Sequence, residues 1–253
     1  MSLDPHRYRA PRNLLTGRNI LVTGAGDGIG RAAAACYAAH GATVILLGRD
    51  QKKLESAYDA ISESGGPEPI IQLLDLGTAT EEHYATLASQ VESELGCLHG
   101  LLHNAALLGP RKPLDQYPLK DWREVMTVNV EAGFMITRSL LPALRAAPSA
   151  SVVFTSSGVG RRGKAFWGAY AVSKFATEGM CQVLADELGS TSHVRVNCIN
   201  PGATNTRMRR AAYPAEVPTR NPDPDAIMPV YLYLMGEDSR DLNGASLDAQ
   251  GSR

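Results

Sequence analysis

No long hydrophobic run occurs in this chain. Across 253 residues, no apolar stretch approaches the roughly 18 needed to cross a bilayer, so neither a spanning helix nor a membrane partner is expected. Charge of one sign is also missing. Lys and Arg number 25 against 26 Asp and Glu, a formal net charge of −1. That lacks the basic stripe a nucleic-acid partner demands. Cysteine is scarce: Cys36, Cys97, Cys181 and Cys198 stand far apart with no CxxC pair, which reads as reduced thiols in a cytoplasmic protein. His99 and His103 are four residues apart on an expected strand, a span of roughly 13 Å, too far to share an ion. No metal site is expected. The opening 1–18 is polar and carries Pro5 and Pro11, unlike a secretory signal. It reads as a loose arm over 1–17, its first three residues a cloning remnant. No linker, repeat or low-complexity segment divides 18–253, so one domain is expected there.

Hydrophobic residues make up 44% of the chain, enough for a real core, and their order is regular. Short apolar runs at 19–23, 43–47, 70–75, 100–104, 151–155 and 195–199, with a weak one at 245–248, alternate with longer amphipathic stretches. Those stretches are 30–40, 51–64, 81–95, 119–146 and 167–189, with apolar residues at three- and four-residue steps. Continuous Val/Ile/Leu runs belong to strands covered on both faces. The alternation therefore predicts an α/β fold, a doubly wound parallel sheet of Rossmann type with helices on both faces. Ligands of such sheets bind beyond the carboxyl ends of the strands.

After the first run comes Thr23-Gly24-Ala25-Gly26-Asp27-Gly28-Ile29-Gly30, leading into a helix expected to begin near Arg31. Glycines let the backbone turn tightly and approach a pyrophosphate, and the helix start favours the anion. A tight strand-to-helix turn would look similar, but the position within a βαβ unit favours nucleotide binding. No Gly-Lys-Ser/Thr follows, so a P-loop is not expected. Farther on, Tyr170-Ala171-Val172-Ser173-Lys174 places Tyr170 and Lys174 on one helix face. A phenol titrates near pH 10, and a neighbouring ammonium would lower that value. Two ordinary helix residues could show the same spacing.

The spacing Gly24-x3-Gly28-x-Gly30 resembles the short-chain dehydrogenase/reductase family, and so do three motifs that follow it in order: Asn129, Ser157 and the Tyr170/Lys174 pair. Ser157 lies thirteen residues before Tyr170, the family separation; Ser156 is the alternative. The resemblance implies an NADP(H)-dependent oxidoreductase that moves a hydride between nicotinamide and a small-molecule carbonyl or alcohol. Tyr170 would be general acid/base, Ser157 would polarise the substrate oxygen, Lys174 would lower the tyrosine pKa and hold the ribose, and Asn129 would anchor a water relay. For the cofactor it implies Gly24, Gly28, Ile29 and Gly30 at the pyrophosphate, and Asp75 with Leu76 beside the adenine. Asn104 and Ala105 would flank the adenosine. Pro201, Gly202, Thr204 and Thr206 would lie by the nicotinamide.

The family's acidic ribose-binding position is Gly48 here, followed by Arg49, an arrangement that suits a 2′-phosphate. Arg49 as a solvated loop residue, and Asp75 as a turn aspartate, remain the plainer readings. The family's Asn-Asn-Ala-Gly is replaced by His103-Asn104-Ala105-Ala106. Arg161, Arg162 and Lys164 either favour an anionic substrate or simply make a charged surface loop. The segment between Thr206 and Asp225 falls where the family keeps its substrate lid. Segments such as Val44-Ile45-Leu46-Leu47-Gly48-Arg49 and Met235-Gly236-Glu237-Asp238-Ser239-Arg240 are closest to the YciK-like branch of bacterial members. A homodimer or homotetramer built on 119–146 and 167–189 is implied. A non-catalytic dinucleotide-binding or redox-sensing protein on the same fold is the alternative.

Overall fold

The structure is a computed structural model that describes residues 4–251; the first three residues, and with them the supposed cloning remnant, lie outside that range. Seven strands form one sheet: β1 (Asn19–Thr23), β2 (Thr43–Gly48), β3 (Ile70–Leu73), β4 (Gly100–His103), β5 (Ala150–Thr155), β6 (Val194–Asn200) and β7 (Ser246–Asp248). Their order is β3-β2-β1-β4-β5-β6-β7 and every pairing is parallel. The sequence of connections reverses between β1 and β4, which opens a crevice above their carboxyl ends.

Side-chain alternation along the strands assigns the two faces. In β1, Ile20 and Val22 join one core while Leu21 joins the other; in β2, Val44 and Leu46 part in the same way from Ile45 and Leu47. The first core is closed by α1 (Gly28–Ala39), α2 (Gln51–Glu63) and α9 (Met228–Met235). The second is closed by α3 (Glu81–Leu95), α5 (Ala132–Ala146) and α7 (Gly168–Gly189). Each central strand is therefore apolar on both sides, which is why the runs read as continuous rather than alternating.

Three expectations need correction. The stretch 119–146 is not one regular helix: α4 (Leu119–Met126) passes into a π-helical turn at Thr127–Glu131 before α5. Asn129 sits in that turn with its side chain buried and bonded outside the helix, an interaction that the extra residue of a π turn accommodates. The arm is not loose either. Tyr8 is buried and donates to the Asp238 carboxylate at 2.7 Å, and Leu15 is fully buried in the first core. Finally, β3 stops at Leu73, short of Asp75. No helix among the described residues is long and apolar enough to cross a membrane.

Candidate active site

The crevice holds a cavity of about 590 Å³ whose lining starts at the glycine turn. Gly24 adopts φ 70°, and its amide donates to Leu47 O at 2.8 Å, which draws the turn over the ends of β1 and β2. Helix α1 begins at Gly28, earlier than the expected Arg31. A Cβ on Gly30 would lie 2.3 Å from Gly24 O and 2.6 Å from Asn104 Nδ2. Backbone cannot yield that much, so Gly30→Ala is expected to cost roughly 2 kcal/mol or more in denaturant unfolding; a near-neutral change would show the turn to be looser. Gly24, Gly28 and Ile29 line the cavity, whereas Gly30 supports it from below.

Thr23 ties this turn to the strand beside it. Its hydroxyl accepts from the amides of Asn104 (2.9 Å) and Ala105 (3.0 Å), so that loop keeps its place with Ala106 present. Arg49, just beyond β2, lines the cavity and has no hydrogen bond or ion pair among the described residues. Asp50 is the N-cap of α2, accepting from Lys53 N at 3.2 Å. Asp75 and Leu76 both line the cavity. Asp75 also accepts from Gly77 N at 2.9 Å, as a turn aspartate does.

At the other end stand Tyr170 and Lys174. Both line the cavity and both are buried. The expected lowering of the tyrosine pKa does not occur: burial pushes Tyr170 up to about 12, opposed by its hydrogen bond with Ser157. The physical reason is that desolvation penalises the phenolate, while the ammonium is engaged elsewhere. Lys174 Nζ donates to Thr155 O at 2.7 Å and lies 5.6 Å from the Tyr170 ring centroid. Burial lowers Lys174 to about 8, against the pull of Cys198 and Glu178. Ser157 contacts the phenol but does not line the cavity. Ser156 does line it, and its buried hydroxyl has no partner among the described residues. Asn129 lies behind the wall, where its side chain accepts from Leu107 N (2.7 Å) and donates to Leu107 O (2.9 Å) and Ser173 Oγ (3.0 Å).

Of the segment after β6, Pro201 and Thr206 reach the cavity, and Gly202 and Thr204 do not. Gln250 holds that segment, donating to Pro201 O and Ala203 O at 2.9 Å each. Thr206 caps α8 (Arg207–Ala212) by accepting from Arg209 N at 3.1 Å. Sequence reasoning missed Asp27 with Lys53 (2.9 Å) and Arg207 (3.1 Å). These three bring charge from the turn, α2 and α8 to one point on the cavity wall, and Asp27 is held below the usual carboxylate range chiefly by Lys53. Only their distance along the chain concealed them. Among the described residues no His/Cys/Asp/Glu group could hold a metal ion.

A parallel sheet with a glycine turn at its switch point and a buried Tyr/Lys pair beyond β5 defines a nucleotide-dependent oxidoreductase site. Residues 18–217 match the short chain dehydrogenase family, and the chain belongs to it. Uncharacterized oxidoreductase YciK of Escherichia coli K12 is 52% identical over 246 residues, 97% of either chain. A short chain dehydrogenase from Pseudomonas syringae superposes with a TM-score of 0.93 at 58% identity, covering 96% of this chain and 99% of its own. A Shigella flexneri counterpart complexed with NADP gives 0.92 at 52% identity, with 95% and 100% covered. One from Escherichia coli CFT073 complexed with NADPH gives 0.93 at 53% identity with the same coverage.

Proposed function

We propose that this chain is an NADP(H)-dependent oxidoreductase acting on a carbonyl or secondary-alcohol substrate, with Tyr170 as its acid/base. The observation that carries the reading is Tyr170, buried at the end of a cavity that begins at a glycine cradle. A dinucleotide fits the residues present. The space beside Gly24 and Gly30 is bounded by backbone, and Lys53 with Arg207 outnumber Asp27 where phosphates would lie. Arg49 would hold the 2′-phosphate, as two relatives crystallised with NADP or NADPH support. The bound cofactor supplies the hydride.

The protein's own part is positioning and proton transfer. With its pKa near 12, Tyr170 keeps its proton at neutral pH and would donate it to the carbonyl oxygen. Ser157 would orient that oxygen and stabilise charge developing there. Lys174, protonated below about 8, would hold the ribose, and Asn129 would fix the wall through Leu107 and the catalytic helix through Ser173. A non-catalytic sensor would have no use for a protonated phenol in the cavity. Exposed Phe134 on α5, with Val172, Phe175 and Val183 on α7, supports self-association as a dimer or tetramer. Four free cysteines are compatible with the reducing cytoplasm.

The first test is melting temperature with NADPH, with NADH and without cofactor, since a ligand of the folded state stabilises by RT ln(1 + [L]/Kd). NADPH should raise it further than NADH. Arg49→Ala should weaken NADPH by about tenfold or more, the scale of a lost charge-assisted bond, and leave NADH near its original affinity. Equal losses for both would remove Arg49 from cofactor selection.

A further inference from the structure

Beside Tyr170 the cavity wall adjoins a small apolar cluster. Tyr170, Leu108 and Met208 belong to both, and the cluster adds Trp167, Ala212 and Tyr213. The Trp167 ring is tilted against Tyr170 at 5.7 Å and against Tyr213 at 5.8 Å, centroid to centroid. This wall is where the body of a substrate would lie once its carbonyl reached the phenol. Its rim is positively charged. The Arg111 guanidinium carbon sits 4.7 Å from the Trp167 centroid and 5.2 Å from that of Tyr213. Lys164 Nζ is 5.9 Å from the Tyr213 ring, and the Arg209 guanidinium 3.8 Å.

Several other cations of the region are already matched to carboxylates. Arg209 makes a bidentate pair with Glu216 at 2.6 and 2.7 Å. Arg161 meets Asp248 at 2.8 Å and Glu178 at 3.4 Å, which takes it out of any reckoning of the loop charges. Arg207 meets Asp27. Arg111 and Lys164 differ: among the described residues neither has a carboxylate partner. Arg111 bonds only the Ala212 carbonyl and rests on the two rings. Three cations around one tyrosine, with one carboxylate among them, repel each other, and ring faces offset that repulsion only in part. An oxyanion placed between Arg111 and Lys164 would relieve it. The Arg111 fork is anchored through one nitrogen, leaving N–H donors on the side away from Ala212. The indole N–H of Trp167 is a further donor in the cluster, buried and without a partner among the described residues.

We propose that Arg111 and Lys164 form an anion subsite that selects carbonyl substrates carrying a carboxylate about one aromatic ring away from the reacting carbon. The proposal rests on the reductase reading above for the identity of the other end, where Tyr170 acts. The ring-length spacing is taken from Trp167, whose ring centroid lies 5.7 Å from that of Tyr170 and 4.7 Å from the Arg111 guanidinium carbon. Such a rim also concentrates acidic substrates at the mouth of the cleft.

The probes are 4-acetylbenzoate and its methyl ester, which share a ketone and a ring and differ in charge. With NADPH as reductant, the acid is expected to exceed the ester in kcat/KM by about tenfold or more, a preference that shrinks as salt rises. Arg111→Gln should cut the acid-to-ester ratio about tenfold, equivalent to about 1.4 kcal/mol, and Arg111→Lys should retain part of it. Arg111 is exposed, and melting temperatures check that both variants fold. An equal or reversed preference in the unaltered protein, or a ratio that Arg111→Gln leaves in place, overturns the subsite. If neither ketone turns over, the reductase reading fails for these compounds. Calorimetric titration of the two probes, with and without NADP⁺, then decides the subsite separately. Tighter binding of the acid that disappears in Arg111→Gln sustains it, and equal binding of acid and ester refutes it.

Discussion

Tyr170→Phe is expected to lower NADPH-dependent carbonyl reduction by about a thousandfold or more, within the range that a positioned proton donor contributes, and to leave NADPH binding intact. The substitution removes one hydroxyl from a buried ring and keeps the ring itself, so the packing against Trp167 at 5.7 Å survives. No buried charge is lost, because burial keeps the phenol protonated up to about pH 12. Ser157 loses its contact with the phenol and nothing else changes shape. The measurements are single-turnover reduction of a ketone and the rise in melting temperature at saturating NADPH. Stabilisation should amount to about 2.7 kcal/mol when NADPH is a hundredfold above Kd, in the variant as in the parent. Retained turnover would remove Tyr170 from proton transfer. Loss of both turnover and NADPH stabilisation would recast it as a residue that shapes the cofactor site. Because Tyr170 titrates upward rather than downward, the reducing direction should also hold its rate well above neutrality with respect to this group. Any decline near pH 8 would instead report Lys174 giving up its proton.

The fold was legible because its pattern is written locally. Each central strand is a short Val/Ile/Leu run, and each is followed by a helix whose apolar face repeats at three and four residues. A Cβ on Gly24 would meet the Ala105 backbone and one on Gly30 would meet Gly24 O, which is why the spacing of these glycines could be read. What the sequence hid depends on neighbours brought together by the fold. Asn129 was legible as an oddity in a helix, but its bonds to Leu107 and Ser173 lie 22 and 44 residues away, and with them the π turn. The direction of the Tyr170 shift was misjudged for the same reason. Spacing of four places the ammonium near the phenol, yet it says nothing of the Thr155 carbonyl that occupies Lys174 or of the depth at which both are buried. Arg161 and Lys164 lie three residues apart in one charged stretch of sequence; the structure distinguishes them by ending a short helix at the first and bringing Glu178 and Asp248 beside it. Ser156 and Ser157, adjacent in sequence, part in the same manner, one turned into the cavity and the other against the phenol.

His103, the first departure from the family's Asn-Asn-Ala-Gly, carries the second large expected effect. It ends β4 inside the protein, stacked on Phe154 at 4.4 Å with an interplanar angle of 12° and bonded through Nε2 to Thr137 Oγ1 at 2.8 Å. Burial, and to a smaller extent the Lys174 charge, lowers its pKa from 6.5 to about 3. The folded chain therefore refuses a proton that the unfolded chain accepts. Above pH 6.5 both states leave the ring neutral and no penalty arises. As pH falls through 6.5 the unfolded state binds the proton first, so stability declines continuously until the folded state titrates near 3. At about 1.36 kcal/mol per unit, the loss reaches on the order of 5 kcal/mol, a large share of the stability of an ordinary domain. An asparagine at this position does not titrate. His103→Asn should be the less stable protein at pH 7.5, having lost the stack on Phe154, and should fall less steeply toward pH 4. The two stability curves, taken from urea unfolding at half-unit intervals of pH, are expected to converge and then cross or nearly cross. Curves that stay parallel from 7 to 4 would mean that His103 is protonated in the folded protein, and that the core at β4 and α5 opens enough to hydrate it.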